Sequence, residues 1–123
     1  MINLDGDTGV AGFRGGVIDG SDKRMKNTIS DLDKKRSSEF IYSLSAKSYR
    51  YNFEKDGFHH GFIAQDVLES VEEGWNICPQ IFSNGNGEKY YGLNYTELIA
   101  DLVATVQLQH EEIKELKETV GIL

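Results

Sequence analysis

The chain has 123 residues, enough for one domain and little more. Its 39% apolar content is modest, but six Tyr, six Phe and one Trp are too many aromatics for a disordered chain. With 13 Lys+Arg against 20 Asp+Glu the net charge is −7, and no large basic block offsets it, which argues against nucleic acid or an anionic membrane as partner.

Other classes fall away on similar grounds. The lone Cys78 cannot form an internal disulfide, and it reads as a small, partly buried apolar residue rather than a nucleophile. No apolar run approaches the roughly 20 residues that span a bilayer. The N-terminal residues lack the basic flank and apolar stretch of a signal peptide.

Residues 1–20 differ in composition from the remainder of the chain. Six of the 13 glycines lie there, Gly6, Gly9, Gly12, Gly15, Gly16 and Gly20, without helical periodicity. This segment reads as extended chain with turns, the end of a Gly-rich upstream region, with a boundary at Gly20–Ser21. Ser21 can cap a helical turn, and Asp31 or Asp33 can cap the next helix, expected over about 33–44 from the spacing of Leu32, Arg36, Phe40, Ile41 and Leu44. Residues 47–53 alternate, with Tyr49, Tyr51 and Phe53 on one face of a half-buried strand. After the breaker Asp56–Gly57, a short strand over 62–64 and a two-turn helix over 65–72 are expected, with Val67, Leu68 and Val71 inward. The turn Asn84–Gly85–Asn86–Gly87 between ICPQIF and EKYYGL predicts a hairpin, and Pro79 puts its strand at a sheet edge.

The last segment, 95–123, predicts a long helix with an unbroken seven-residue repeat. Its seam runs Tyr95, Ile99, Leu102, Val106, Gln109, Ile113, Leu116, Val120 and Leu123, apolar at eight of nine positions. With Ile99 at a, every a position is β-branched. That pattern favours a dimer, whereas the polar Gln109 layer and the wider apolar face made by Leu98 and Val103 leave a trimer open. The alternative is a helix lying on its own domain's core. The fold class expected is therefore α+β: a small mixed domain with a few short strands and a hairpin, plus a long C-terminal oligomerisation helix.

Most enzyme templates fail. There is no phosphate-cradling Gly-Lys-Ser/Thr loop, dinucleotide fingerprint, HExxH or paired CxxC. His59 and His60 are adjacent, so in a strand they point to opposite faces and cannot share one metal ion. One constellation remains. Ser21 precedes Lys26 by five residues, and lysine can serve as base to a serine nucleophile where burial disfavours its charge. Spacing alone is weak support. Position strengthens it, because Ser21 sits directly after Gly20 on the composition boundary.

Three ordered motifs then stand out. They are Ser21-Asp22-x-Arg24-Met25-Lys26-x-x-Ile29, Gly61-Phe62-Ile63-Ala64-Gln65, and Tyr95 opening an apolar helix to Leu102. Together they closely resemble the endosialidase-type intramolecular chaperone domain, over about residues 21–116. This is a self-cleaving C-terminal module of bacteriophage tail spikes, tail fibres and neck appendages, with a related version in a membrane-tethered eukaryotic transcription factor. Met25 stands where the family more often has Leu, a volume-conserving change.

The resemblance implies a chaperone domain over 21–123 that forms a homotrimer through a coiled coil, helps the upstream fibre or spike region of its own polypeptide to fold, and cuts itself off between Gly20 and Ser21. Ser21 would be the nucleophile and Lys26 its base, a Ser-Lys peptidase of one turnover, with attack within one chain or across the trimer. Asp22 and Asn27 are candidate orienting or oxyanion groups, and His60, or else His59, a candidate processing histidine. No cofactor, metal, nucleic acid or membrane is implied. The expected setting is the host cytoplasm during virion assembly, the upstream part ending in the virion. Two other readings stand beside it: a non-cleaving trimerisation or attachment module, and a coiled-coil adaptor, which leaves the Gly-rich leader and the Ser21 motif unexplained.

Overall fold

The computed structural model describes residues 2–5, 10–13, 18–52, 54–83 and 87–121. The chain divides into two compact units, Met1–Asp31 with Tyr51–Gly57, and Leu32–Arg50 with Phe58–Leu123. The expected boundary at Gly20–Ser21 falls inside the first of these.

In the first unit, strands β1 (Ile2–Asp5) and β2 (Val10–Phe13) pair antiparallel, Ile2 opposite Phe13 and Asp5 opposite Val10. A single 3-10 turn comes next, over Lys23–Met25. Its cap is Asp22, whose side chain accepts from the Arg24 amide, and not Ser21 as the sequence suggested. Asp takes the role because its carboxylate reaches the amide two residues on.

The second unit is a small α+β domain. Helix α1 (Lys34–Ser43) starts at Asp33, whose carboxylate accepts from the Lys35 and Arg36 amides. Strand β3 (Lys47–Tyr49) pairs antiparallel with β4 (His59–Gly61). The strand expected over 47–53 is thus cut short. The Glu54 amide bonds back to the Tyr51 carbonyl, closing a turn in which Tyr51 is exposed. Phe53 lies outside the described residues. The strand expected at 62–64 instead occupies 59–61, and Ala64 opens helix α2 (Ala64–Leu68). This helix is shorter than expected. The Ser70 and Val71 amides bond three residues back and tighten its end; Val67 is buried and Val71 packs against the core as expected, whereas Leu68 is 38% exposed.

Strands β5 (Gln80–Ser83) and β6 (Lys89–Tyr91) form the expected hairpin, with an irregularity between Gln80 and Phe82. Most of its turn, 84–86, lies outside the described residues. Gly87 adopts φ +82°, the left-handed backbone that glycine tolerates without strain. Among the described residues this sheet has two strands, so Pro79 precedes an edge strand.

Helix α3 (Tyr95–Val120) runs 26 residues, about 39 Å at 1.5 Å per residue, and ends on left-handed Gly121. Asn94 at its start does not cap it. Its amide group donates to the Asn76 carbonyl at 2.7 Å, tying the helix start to the 76–77 loop.

The core is Phe40, Val67, Ile77 and Leu98, with Ile41, Leu44, Phe62, Val71, Trp75, Cys78 and Leu93 against it. Phe40 is fully buried and meets Trp75 edge to face. Helices α1 and α3 are joined by a buried bond from Ser37 Oγ to Asp101 Oδ1 at 2.8 Å, and Ala104 is also buried on α3. Arg36 fastens α1 on another side. It pairs with Glu72, donates to the Ser70 carbonyl and lies 5.0 Å over the Trp75 ring. Among the described residues, no helix is long and apolar enough to cross a membrane.

Candidate functional site

The 3-10 turn brings residues five apart into contact. The Met25 amide bonds to the Asp22 carbonyl at 2.9 Å and the Lys26 amide to the Lys23 carbonyl at 3.2 Å, so the chain doubles back within four residues. Lys26 then resumes extended backbone, and its Nζ lies 2.7 Å from Ser21 Oγ. This is the pair the spacing singled out. Both residues are exposed in the single chain.

The neighbours hold the turn. Arg24 donates from Nε and Nη2 to the two oxygens of Asp22, at 3.1 and 2.9 Å. These bonds, with that from the Arg24 amide, hold the Asp22 carboxyl below the usual carboxylate range. Asp22 therefore serves the turn, and both its oxygens are engaged. Asn27 accepts from the Thr28 hydroxyl at 2.8 Å. Thr28 itself has φ +53°, a left-handed conformation that a β-branched residue rarely adopts. Nothing in the residue pattern signals this bend.

His60 lies in β4 opposite Ser48, and His59 opposite Tyr49, whose ring stacks on it at 5.7 Å. Both histidines belong to the second compact unit, whereas Ser21 and Lys26 belong to the first. Cys78 is partly buried, its Sγ 3.9 Å from the Ala64 carbonyl, and burial pushes its thiol up, away from the thiolate.

The second and third motifs meet. Gly61 ends β4 where a Cβ would stand 2.6 Å from Tyr95 Oη and 3.2 Å from Tyr49 Cε1. The Phe62 amide donates to the same Tyr95 hydroxyl at 3.4 Å. Tyr95, the first d position of the heptads, thus leans on the Gly61–Phe62 corner of its own domain.

Helix α3 carries two faces. Leu98, Asp101, Ala104 and Thr105 are buried in the domain. On the other face Ile99, Leu102, Val106, Ile113, Leu116 and Val120 remain 46–64% exposed. Gln109 turns its amide to Tyr42 of α1, donating to Oη at 2.7 Å. Leu123 lies outside the described residues.

Residues 21–75 match the family model described as chaperone of endosialidase, peptidase S74. The match supports an endosialidase-type intramolecular chaperone domain over these residues. The match starts at Ser21, the residue whose hydroxyl meets Lys26, and ends at Trp75 in the core. The chaperone-domain match is shorter than the motif resemblance, which runs to about residue 116, and the Tyr95 motif lies beyond it. No match was found among curated proteins.

Proposed function

We propose that the chain is a C-terminal intramolecular chaperone of a phage tail fibre, spike or appendage. It trimerises through α3, assists assembly of the region upstream, and releases itself between Gly20 and Ser21. The observation that carries this reading is the 2.7 Å contact between Lys26 Nζ and Ser21 Oγ at the first residue of the family match.

The chemistry is acyl transfer. Ser21 Oγ attacks the Gly20 carbonyl carbon while its proton passes to Lys26 Nζ. The C–N bond breaks, the Ser21 nitrogen takes a proton, and the Gly20 acyl group is left as an ester on the attacking oxygen. Water then hydrolyses the ester, giving a Gly20 carboxylate and a chain that begins at Ser21. The same balance holds within one chain or between neighbouring copies. Assembly takes place in the host cytoplasm, and the upstream part goes on into the virion.

The exposed face of α3 supports the assembly half of the reading. A narrow apolar seam between charged flanks is what a coiled coil between chains uses. A second reading, a trimerisation module that never cuts, draws support from the exposure of Ser21 and Lys26 in the single chain.

Intact mass of freshly purified wild type beside Ser21→Ala and Lys26→Ala tests the choice. Self-cleavage predicts fragments 1–20 and 21–123 from wild type and whole chains from both variants. Loss of cleavage in Ser21→Ala alone removes Lys26 as base. A wild type that stays whole as an assembled oligomer selects the non-cleaving module.

A further inference from the structure

Helix α3 presents a second surface besides its seam. Between its first turns and residues 75–77 lies an open cavity of about 160 Å³. Leu32, Trp75, Ile77 and Ala100 give it apolar walls, and Glu97 and Asp101, one helical turn apart, bring two carboxylates to it. Asp101 is only 7% exposed. Its Oδ1 accepts from Ser37, and among the described residues its Oδ2 has no hydrogen-bond partner. A buried carboxylate without a full set of partners costs free energy that a cation at the open oxygen offsets. Arg36 is not that cation, because it is held by Glu72 and the Ser70 carbonyl and does not line the cavity. An indole, aliphatic walls and two carboxylates suit an ammonium group on an apolar stem, which is the chemistry of a lysine side chain.

The position of the cavity says how it is filled. Glu97 and Asp101 lie two residues either side of Ile99, about 200° round the helix from it, so helices that meet through the seam leave the cavity open. What reaches it must come on an arm. The stretch 18–31 is exposed at every residue and carries Ile18, Met25 and Ile29, apolar side chains that gain burial only against another surface. On its turn Arg24 is engaged by Asp22 and Lys26 by Ser21, whereas the Lys23 side chain has, among the described residues, no hydrogen bond or ion pair. We propose that the cavity takes Lys23 of a second copy, with its ammonium between Glu97 and Asp101 and its stem against Trp75. The inference rests on assembly through α3, and gives the turn beside Ser21 a cover drawn from a neighbouring copy.

Trp75 is the chain's single tryptophan, so its fluorescence reports on the cavity. With the full chain dilute enough to be single, n-butylammonium chloride is expected to shift that emission saturably, and sodium chloride at equal ionic strength is not. Asp101→Asn, which keeps the oxygen that Ser37 bonds, and the exposed Glu97→Gln are each expected to weaken the response. The source of the lysine is read by sedimentation equilibrium on a pairwise cycle. Asp101→Asn is expected to lower the association constant about tenfold with Lys23 present, and less than about twofold in the Lys23→Ala background, because its partner is then gone. Where a far-UV melt shows that Asp101→Asn weakens the single chain's own fold, Glu97→Gln takes its place in the cycle. n-Butylammonium is expected to compete with association in wild type and not in Lys23→Ala. Equal effects in both backgrounds, or an emission that n-butylammonium leaves unchanged, with wild type assembling normally, overturn the inference and leave assembly through α3 standing. A wild type that stays single at every concentration overturns both.

Discussion

If α3 assembles as a trimer, as proposed, Ile113→Ala is expected to weaken that assembly about a hundredfold while leaving the chain's own fold intact. In the single chain Ile113 is 51% exposed and stands on the seam face, away from the α1 contact. Full burial of an isoleucine is worth about 1.5–3 kcal/mol, so burying the exposed half in an interface is worth about 1 kcal/mol. A trimer makes the change three times, for about 3 kcal/mol, or roughly two powers of ten in the association constant. Sedimentation equilibrium over a range of chain concentrations reads the constant directly, and a far-UV melt at low concentration checks the isolated fold. An unchanged association constant would refute the reasoning, because the seam would then be an ordinary wet helix face. A lowered monomer melt would show instead that Ile113 serves its own domain.

Gly61→Ala is expected to destabilise the domain by about 1–3 kcal/mol, since the new methyl meets Tyr95 Oη at 2.6 Å. Adding Tyr95→Phe removes that oxygen and is expected to recover most of the loss in a denaturant titration; no recovery would mean the corner is not held by this contact. The turn at Ser21–Lys26 is expected to loosen in acid. Arg24 holds the Asp22 carboxyl below its ordinary value, so the carboxylate's support of the turn is complete above about pH 4 and is lost as the pH falls through the lowered folded value. The Arg24 amide proton, which bonds to Asp22 Oδ1, reports this by its chemical shift, and a flat profile below pH 4 would sink the idea.

Elements with strong local signals were legible in the sequence. The spacing around Phe40 and the cap residue Asp33 marked α1, and the Asn-Gly run marked the β5–β6 hairpin. The repeat marked α3 almost to its ends. The short elements were less legible because their limits depend on contacts. Alternation continues past Tyr49, but a turn closed between Tyr51 and Glu54 ends the strand. Leu68 has the right spacing for the core, but α2 is too short to present two residues inward. At the site, the Ser21–Lys26 spacing was visible, whereas the hold of Arg24 on Asp22 and the left-handed Thr28 are properties of the turn's geometry, and no pattern of residue types encodes them.

The two exposed features of the single chain point the same way on the proposed reading. An amine that takes a serine's proton works best where water is kept from stabilising its charge. Lys26 is exposed in the single chain, so that condition is met only when another surface covers the turn. The seam on α3 supplies a reason for other copies to arrive, because six apolar side chains from Ile99 to Val120 gain burial only by meeting a partner. Cleavage that waits for such a cover would come after assembly rather than before it. The order matters for the upstream chains, whose association is fastest while the chaperone domains hold them at high effective concentration. Once the Gly20–Ser21 bond is cut the link to the chaperone is gone, and the assembled product is held by the barrier to its own unfolding.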